Sequence, residues 1–429
     1  MQCPECGLEL SGTPMVCPRC LTRLAAPPVR QRAGEPVAPG LPPDLQIAAA
    51  DGWEQDKAGS ASRSPSRPRS QEGEGLGTLG KAVLALTLVL FLVAAATFAV
   101  ALRSVTRRDP SYYLAQAKGH YNNGQYELAL AAYLRVLDRD AKRAEAQNGA
   151  GWCYLNMGQP GRAVAHLQKA LALEPKSFES HLGLGVAYCG VYMWPEAEAS
   201  LKKALDIRRG DPQATRYLGY VYLQEQRYDE AIEGLQAVVQ KQPADAVAQE
   251  YLGRALYATQ RYDEALLPLQ EAIRLDPHLE AAREYLGLVQ QELGRCDWAL
   301  EQFRVLQAAH PDDPTWYAYM GQCLYEQGLY GDAIAHLNQA LTLSHADQVL
   351  SKSRLYLGWS YYAQERYDEA IVLFQQASLM NPGDAEAVAG LGWCYAKLER
   401  CSEAKGLFEA ALRVDPYLES AQKGLSTCP

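Results

Sequence analysis

Histidine is scarce in this chain: seven in 429 residues, scattered with no ligand spacing, so a histidine-built metal centre has nothing to start from. Positive charge is also short. Forty-one Lys and Arg stand against 50 Asp and Glu, a formal charge of −9, which gives no reason to expect nucleic acid. The shortfall is uneven. Nine basic residues cancel nine acidic ones between Met1 and Lys81, so the excess acidity lies in the C-terminal part. There it disfavours phosphate and mildly favours basic partners.

What is present falls into zones. Cys3-Pro4-Glu5-Cys6 and Cys17-Pro18-Arg19-Cys20 form two C-x2-C knuckles ten residues apart. Two residues between cysteines let one tight turn offer both thiolates to a single ion, and two knuckles supply the tetrahedral S4 set that Zn²⁺ prefers. Residues 1–24 cannot bury a core alone, so structural zinc would supply most of their folding energy. Rubredoxin-like iron and a redox pair are the other readings of these ligands. The pattern resembles the short zinc ribbons at the start of many prokaryotic membrane proteins, with Leu21 where that family usually has Gly.

Residues 25–80 carry Pro, Gly and Ser and the run Arg63-Ser64-Pro65-Ser66-Arg67-Pro68-Arg69-Ser70, with no helical or alternating pattern, and read as a disordered linker. Ala82 to Leu102 holds no charge. As a helix it would span about 31 Å, against a hydrocarbon core of about 30 Å. Residues 81–103 are therefore expected to be a transmembrane helix, with the lipid bilayer as partner through residues 82–102. Counting Lys and Arg within about twenty residues of the span gives a tie. The ribbon's thiolates argue for the N-terminus in the cytoplasm and the repeats outside it. The cysteines of the repeats argue for the reverse. The single-pass expectation takes the first orientation.

From Pro110 onward a 34-residue self-similarity dominates. Ala129, Ala163, Ala197, Ala231, Ala265, Ala299 and Ala333 recur in step, followed by Ala370 after 37 residues and Ala404 after 34. The three extra residues fall near Gln348-Val349-Leu350 and are expected in a loop. Gly151, Gly185, Gly219, Gly253, Gly287, Gly321, Gly358 and Gly392 keep the same beat, and Pro175, Pro243, Pro277, Pro311, Pro382 and Pro416 close six units. The glycine lets one helix of a hairpin approach its neighbour closely, the alanine does so in the other, and the proline ends the second helix. Leu-Gly, a Tyr three residues on, Ala, a bulky residue four later and then Pro together resemble the tetratricopeptide-repeat family. The consensus tryptophan is absent, replaced by residues such as Gln147, His181 and Arg283.

The fold expected is all-α: a right-handed superhelical solenoid of nine helix hairpins over residues 110–418 with a capping segment at 419–429. The ribbon, linker and transmembrane helix precede it. In the family, helix A lines an inner groove, which implies Tyr121, Trp152, Tyr220, Arg254, Tyr257, Tyr325, Trp359, Tyr362 and Trp393 as partner-binding residues. The other reading of this set is packing between neighbouring A helices. The Lys/Asn/Arg set by which some relatives clamp a C-terminal carboxylate does not line up. Cys153, Cys323 and Cys394 share one small buried position of helix A, with Cys189 close by, and Cys296 and Cys401 stand where other units carry an aromatic. This regular register favours packing over ligation or a disulfide. Cys428 is expected in an exposed tail. Paired acids such as Asp229-Glu230 and Asp263-Glu264 open helix B, where they favour the helix dipole.

Almost every residue after Pro110 is spent on repeats, leaving no room for a catalytic domain, so no enzyme and no small-molecule substrate are expected. The reading is a membrane-anchored scaffold binding proteins or peptides in its groove, the alternative being a transmembrane sensor that relays groove occupancy to the ribbon.

Overall fold

The computed structural model describes residues 109–344 and 347–428. They form helices only, nineteen of them, in consecutive hairpins. The first helices of the hairpins, the A helices, are α1 (Pro110–Asn122), α3 (Ala144–Asn156), α5 (Phe178–Gly190), α7 (Pro212–Gln224), α9 (Ala246–Ala258), α11 (Glu280–Glu292), α13 (Pro314–Glu326), α15 (Asp347–Ala363) and α17 (Ala385–Lys397). The B helices are α2 (Tyr126–Leu137), α4 (Pro160–Leu173), α6 (Trp194–Ile207), α8 (Tyr228–Lys241), α10 (Tyr262–Leu275), α12 (Cys296–Ala309), α14 (Tyr330–Leu343), α16 (Tyr367–Met380) and α18 (Cys401–Val414). A last helix, α19 (Glu419–Thr427), packs on α17 and α18.

Each unit is built by the same local chemistry. Asp211, Asp245, Asp313 and Asp384 cap A helices by accepting a hydrogen bond from a first-turn backbone N–H. Proline takes the first position of α1, α4, α7 and α13, where its missing N–H costs nothing. Between the helices of a hairpin one residue turns left-handed. It is glycine at Gly124, Gly158, Gly294 and Gly328, but Tyr192, Gln226, Gln260, Glu365 and Glu399 at the same register, with φ near +60°.

The A and B helices of a unit touch through the glycine. A Cβ on Gly253 would lie 2.4 Å from Leu269 Cγ, and one on Gly151 2.5 Å from Leu167 Cγ. The bulky partners, Leu167, Leu201, Leu235, Leu269, Phe303, Leu337, Phe374 and Phe408, are fully buried. The main core runs from Leu155 to Leu357 as a chain of such contacts, with smaller clusters continuing the pattern at both ends of the stack.

The missing tryptophan has a physical substitute. From that position a polar side chain reaches back six residues to a carbonyl in the preceding turn. Gln147 bonds Ala141, His181 bonds Pro175 (3.0 Å), Gln249 bonds Pro243, Arg283 bonds Pro277 and Gln422 bonds Pro416. The turn between units is held by a hydrogen bond where the family consensus uses aromatic area.

Two expectations are corrected. The three extra residues do not make a loop: they fall inside α15, which runs to 17 residues against 13 in the other A helices. Cys428 is not in an exposed tail: it is buried and bonded to Cys401.

The localisation is corrected as well. Among the described residues no helix is long and apolar enough to cross a membrane. The longest, α15, stops at 17 residues and carries Asp347, Lys352 and Arg354. That finding counts against a single-pass membrane protein with the repeats on one side and the ribbon on the other, and the transmembrane relay loses its support with it. The apolar run 82–102 lies outside the described residues, as do the linker and Cys3, Cys6, Cys17 and Cys20.

Candidate functional site: the tyrosine and carboxylate face of the A helices

Neighbouring A helices approach each other closely along the stack, the junction of α11 and α13 excepted, whereas neighbouring B helices do not. The stack therefore bends with the A helices inside. A side chain of an A helix can look toward that inner face or lie in the seam between A helices.

The sequence candidates divide between these two environments. Tyr220 and Arg254 are buried in the seams, at 2% and 7% exposure. Tyr121, Trp152, Tyr257, Tyr325, Trp359, Tyr362 and Trp393 are half-buried. Tyr121 accepts a hydrogen bond from Asn156 (3.1 Å), which holds its ring across the first seam. Tyr257 meets Tyr285 at 5.5 Å, and Tyr325 meets Tyr356 at 5.7 Å, both across seams. Trp359 packs edge-on against Tyr362 (5.5 Å) and Phe374 (5.0 Å). Trp393 packs on Phe408, and its indole N–H donates to the Ser420 carbonyl (3.1 Å), so it anchors α19.

A second set was overlooked in the sequence. Tyr217, Tyr251, Tyr285 and Tyr319 stand at the sixth place of four successive A helices, and Tyr356 keeps the same register in the longer α15, with the same 34-residue step and the same three-residue jump. Their signal was present as periodicity, but it lies outside the consensus positions of the family. Tyr251 and Tyr220 pack ring to ring at 5.1 Å. Burial raises the phenol pKa of Tyr257, Tyr285, Tyr319, Tyr325 and Tyr356, and neighbouring carboxylates add to the rise.

Those carboxylates are the other half of the face. The negative field of Glu284 and Glu292 reaches Tyr257, that of Glu284 and Asp313 reaches Tyr319, and that of Glu292, Glu326 and Glu386 reaches Tyr356. Glu284 is the extreme case. Desolvation pushes its carboxyl up to about 7; Arg254 opposes the rise, and Asp313 and Glu250 reinforce it. Glu250 itself is neutralised in the seam by Arg254, whose Nη1 donates across 2.9 Å. The Arg254 guanidinium also lies 5.2 Å from the Tyr285 ring. From α9 to α17 the inner face thus offers aromatic rings bordered by carboxylates.

The acids that open the B helices are held differently. Glu230, Glu264, Glu369 and Glu403 each pair with an arginine three residues earlier. Exposed pairs of this kind contribute little stability.

The comparisons with known proteins agree with this architecture. Family models described as tetratricopeptide repeat match residues 114–156, 144–177, 194–246, 226–280, 312–378 and 361–425. The chain belongs to the tetratricopeptide repeat family. Among solved structures it is similar to a MamA fragment from Desulfovibrio magneticus RS-1, with 25% identity over 38% of this chain and 93% of that one (TM-score 0.36). PilF of Pseudomonas aeruginosa matches with 24% identity over 50% and 96% of the two chains (TM-score 0.42). YrrB, described as a TPR protein with an unusual peptide-binding site, matches with 20% identity over 46% and 99% (TM-score 0.36). No curated protein matches.

Proposed function

We propose that this protein is a binding scaffold whose inner face, from α9 to α17, takes a basic segment of a partner protein or peptide. The observation that carries this reading is the interleaving of the half-buried Tyr257, Tyr319, Tyr325 and Tyr356 with Glu284, Glu292 and Glu326, while the buried Tyr285 backs them from the seam. Tyrosine supplies contact area at low rotamer cost, and its ring face attracts a Lys or Arg side chain. The carboxylates steer the same cation and reject an acidic competitor. The half-buried Trp359 and Tyr362 extend the face, whereas Tyr220 and Arg254 shape it from the seam. Nothing in this arrangement assembles a nucleophile with a base, so the reading is binding and not turnover.

The test is a mapping by substitution in the full chain. Tyr319→Ala and Tyr356→Ala should each weaken binding of a basic peptide about tenfold or more. Trp298→Ala, on helix B and half exposed, should leave it unchanged. Equal effects of Trp298→Ala and Tyr319→Ala would refute the inner-face assignment.

A structural zinc held by Cys3, Cys6, Cys17 and Cys20 belongs to the same proposal and rests on the spacing of the two knuckles. One zinc per chain, lost when Cys17 and Cys20 are both changed to Ser, is the expected metal analysis. No bound metal would refute it.

A further inference from the structure

The first residue of helix B and the residue 27 places on, in the next A helix, form a fixed pair of register positions along the stack. In successive units the pair reads Tyr126 and Cys153, Pro160 and Ala187, Trp194 and Val221, Tyr228 and Ala255, Tyr262 and Val289, and Cys296 and Cys323. Past the long α15 it resumes as Tyr367 and Cys394, then Cys401 and Cys428. Cysteine opens a B helix in two units only, and in both the second position is also cysteine. One of these pairs, Cys401 and Cys428, is a disulfide with its Cα atoms 5.2 Å apart, well inside the range a disulfide spans.

The other pair lies at the junction of units six and seven. Cys296 and Cys323 are both free and buried, at 5% and 0% exposure. Each thiol lies in the electrostatic environment of the other, and the Cys296 Sγ–H donates to Glu326 Oε2 at 3.1 Å. This junction is the one place in the stack where consecutive A helices do not pack closely. Cys153 and Cys394 share the helix A position of Cys323, but the register partner of each is a tyrosine, so neither has this option.

We propose that Cys296 and Cys323 are a second disulfide-forming pair, which ties α12 to α13 as Cys401 and Cys428 tie α18 to α19. The oxidant is a small-molecule disulfide. The thiolate of one cysteine attacks it, forming a mixed disulfide and releasing one thiol. The thiolate of the other cysteine then attacks the protein sulfur of that mixed disulfide, closing the Cys296–Cys323 bond and releasing the second thiol. Two protein thiols are oxidised, one external disulfide is reduced, and the two protons leave on the released thiols. Burial pushes the Cys296 thiol up to about 12, and its contact with Glu326 reinforces the rise, so the folded stack holds almost no thiolate. The exchange therefore belongs to the open junction, during folding or local unfolding. Once formed, the bond removes the thiol donor from Glu326, leaving that carboxylate with Gln322 at 3.0 Å and Gln291 at 3.5 Å.

The experiment refolds the full chain in oxidised glutathione, alkylates remaining thiols under denaturing conditions and maps tryptic peptides. Linkage of residues 296–304 to residues 305–352 is expected, alongside linkage of 401–405 to 424–429. Added to the already folded, reduced chain, the same oxidant should form the first linkage more slowly than it does during refolding, because the junction must first open. Cys296→Tyr, the residue that opens five other B helices, should fold, keep the second linkage and leave Cys323 fully alkylated. Recovery of Cys296 and Cys323 both alkylated after oxidative refolding would overturn the proposal, and so would linkage of Cys296 to any other cysteine.

Discussion

Arg254 donates to Glu250 across 2.9 Å from one turn further along α9, with both side chains buried in the seam between A helices, at 7% and 1% exposure. Neither charge can reach water, so each depends on the other. Arg254→Ala should destabilise the protein by about 3–5 kcal/mol, because it leaves a buried carboxylate uncompensated. Replacing both, as Glu250→Leu with Arg254→Met, should recover most of the loss. Urea unfolding of the three proteins checks this; equal loss in the single and double variants would contradict it.

Glu284 should make stability depend on pH in the direction opposite to most acids. Its folded pKa, about 7, lies above the ordinary 4.5 of a glutamate. The folded state therefore holds its proton more firmly, and stability falls as pH rises from about 4.5 to about 7, then levels. Glu284→Gln should be neutral at pH 4 and stabilising at pH 8, by up to about 3 kcal/mol. A bound cation favours the ionised carboxylate, so peptide binding should release protons between those pH values. Melting curves at the two pH values, and calorimetry in buffers of different ionisation enthalpy, provide the measurements.

The left-handed turn residues make a further prediction. Gln260 sits at φ 61° where Gly294 takes the same place one unit later. Gln260→Gly should stabilise the protein by about 1 kcal/mol, since a side chain in this conformation costs about 1–2 kcal/mol and glycine adds some unfolded-state entropy. Gly294→Gln should be destabilising by a similar amount. Thermal unfolding of both variants decides it.

In mid-helix Gly253→Ala would normally help, by about 1 kcal/mol of helix propensity. Here the new methyl would meet Leu269 Cγ at 2.4 Å and Cδ2 at 2.6 Å. The net effect should be a loss of about 1–3 kcal/mol. Adding Leu269→Ala should make room for the methyl, so the effect of Gly253→Ala becomes favourable in that background. A destabilising effect in both backgrounds would show that the contact is not the cause.

Much of this fold was legible because a repeat states its rules many times over. Gly253 against Leu269, Ala265 in helix B and Pro277 after it each recur often enough to be read without any structure. The inner-face candidates were less legible, because position along an A helix does not tell a seam from a surface: Tyr220 and Trp359 share one register place, yet only Tyr220 is buried. The Tyr285 column was visible as a 34-residue step, and the reach of His181 to the Pro175 carbonyl was not, since it depends on the path of the turn. The Cys401–Cys428 bond was hidden by a register that reads equally well as packing.

The central claim is that a basic partner segment binds the tyrosine and carboxylate face. The most direct measurement is fluorescence anisotropy of two labelled peptides with the full chain, one rich in Lys and Arg, the other the same sequence with every charge reversed. The account predicts that the basic peptide binds at least tenfold more tightly, that the preference shrinks as salt is raised, and that Glu284→Gln with Glu292→Gln and Glu326→Gln abolishes it. Equal affinity for the two peptides, or a preference that survives the triple substitution, would contradict it.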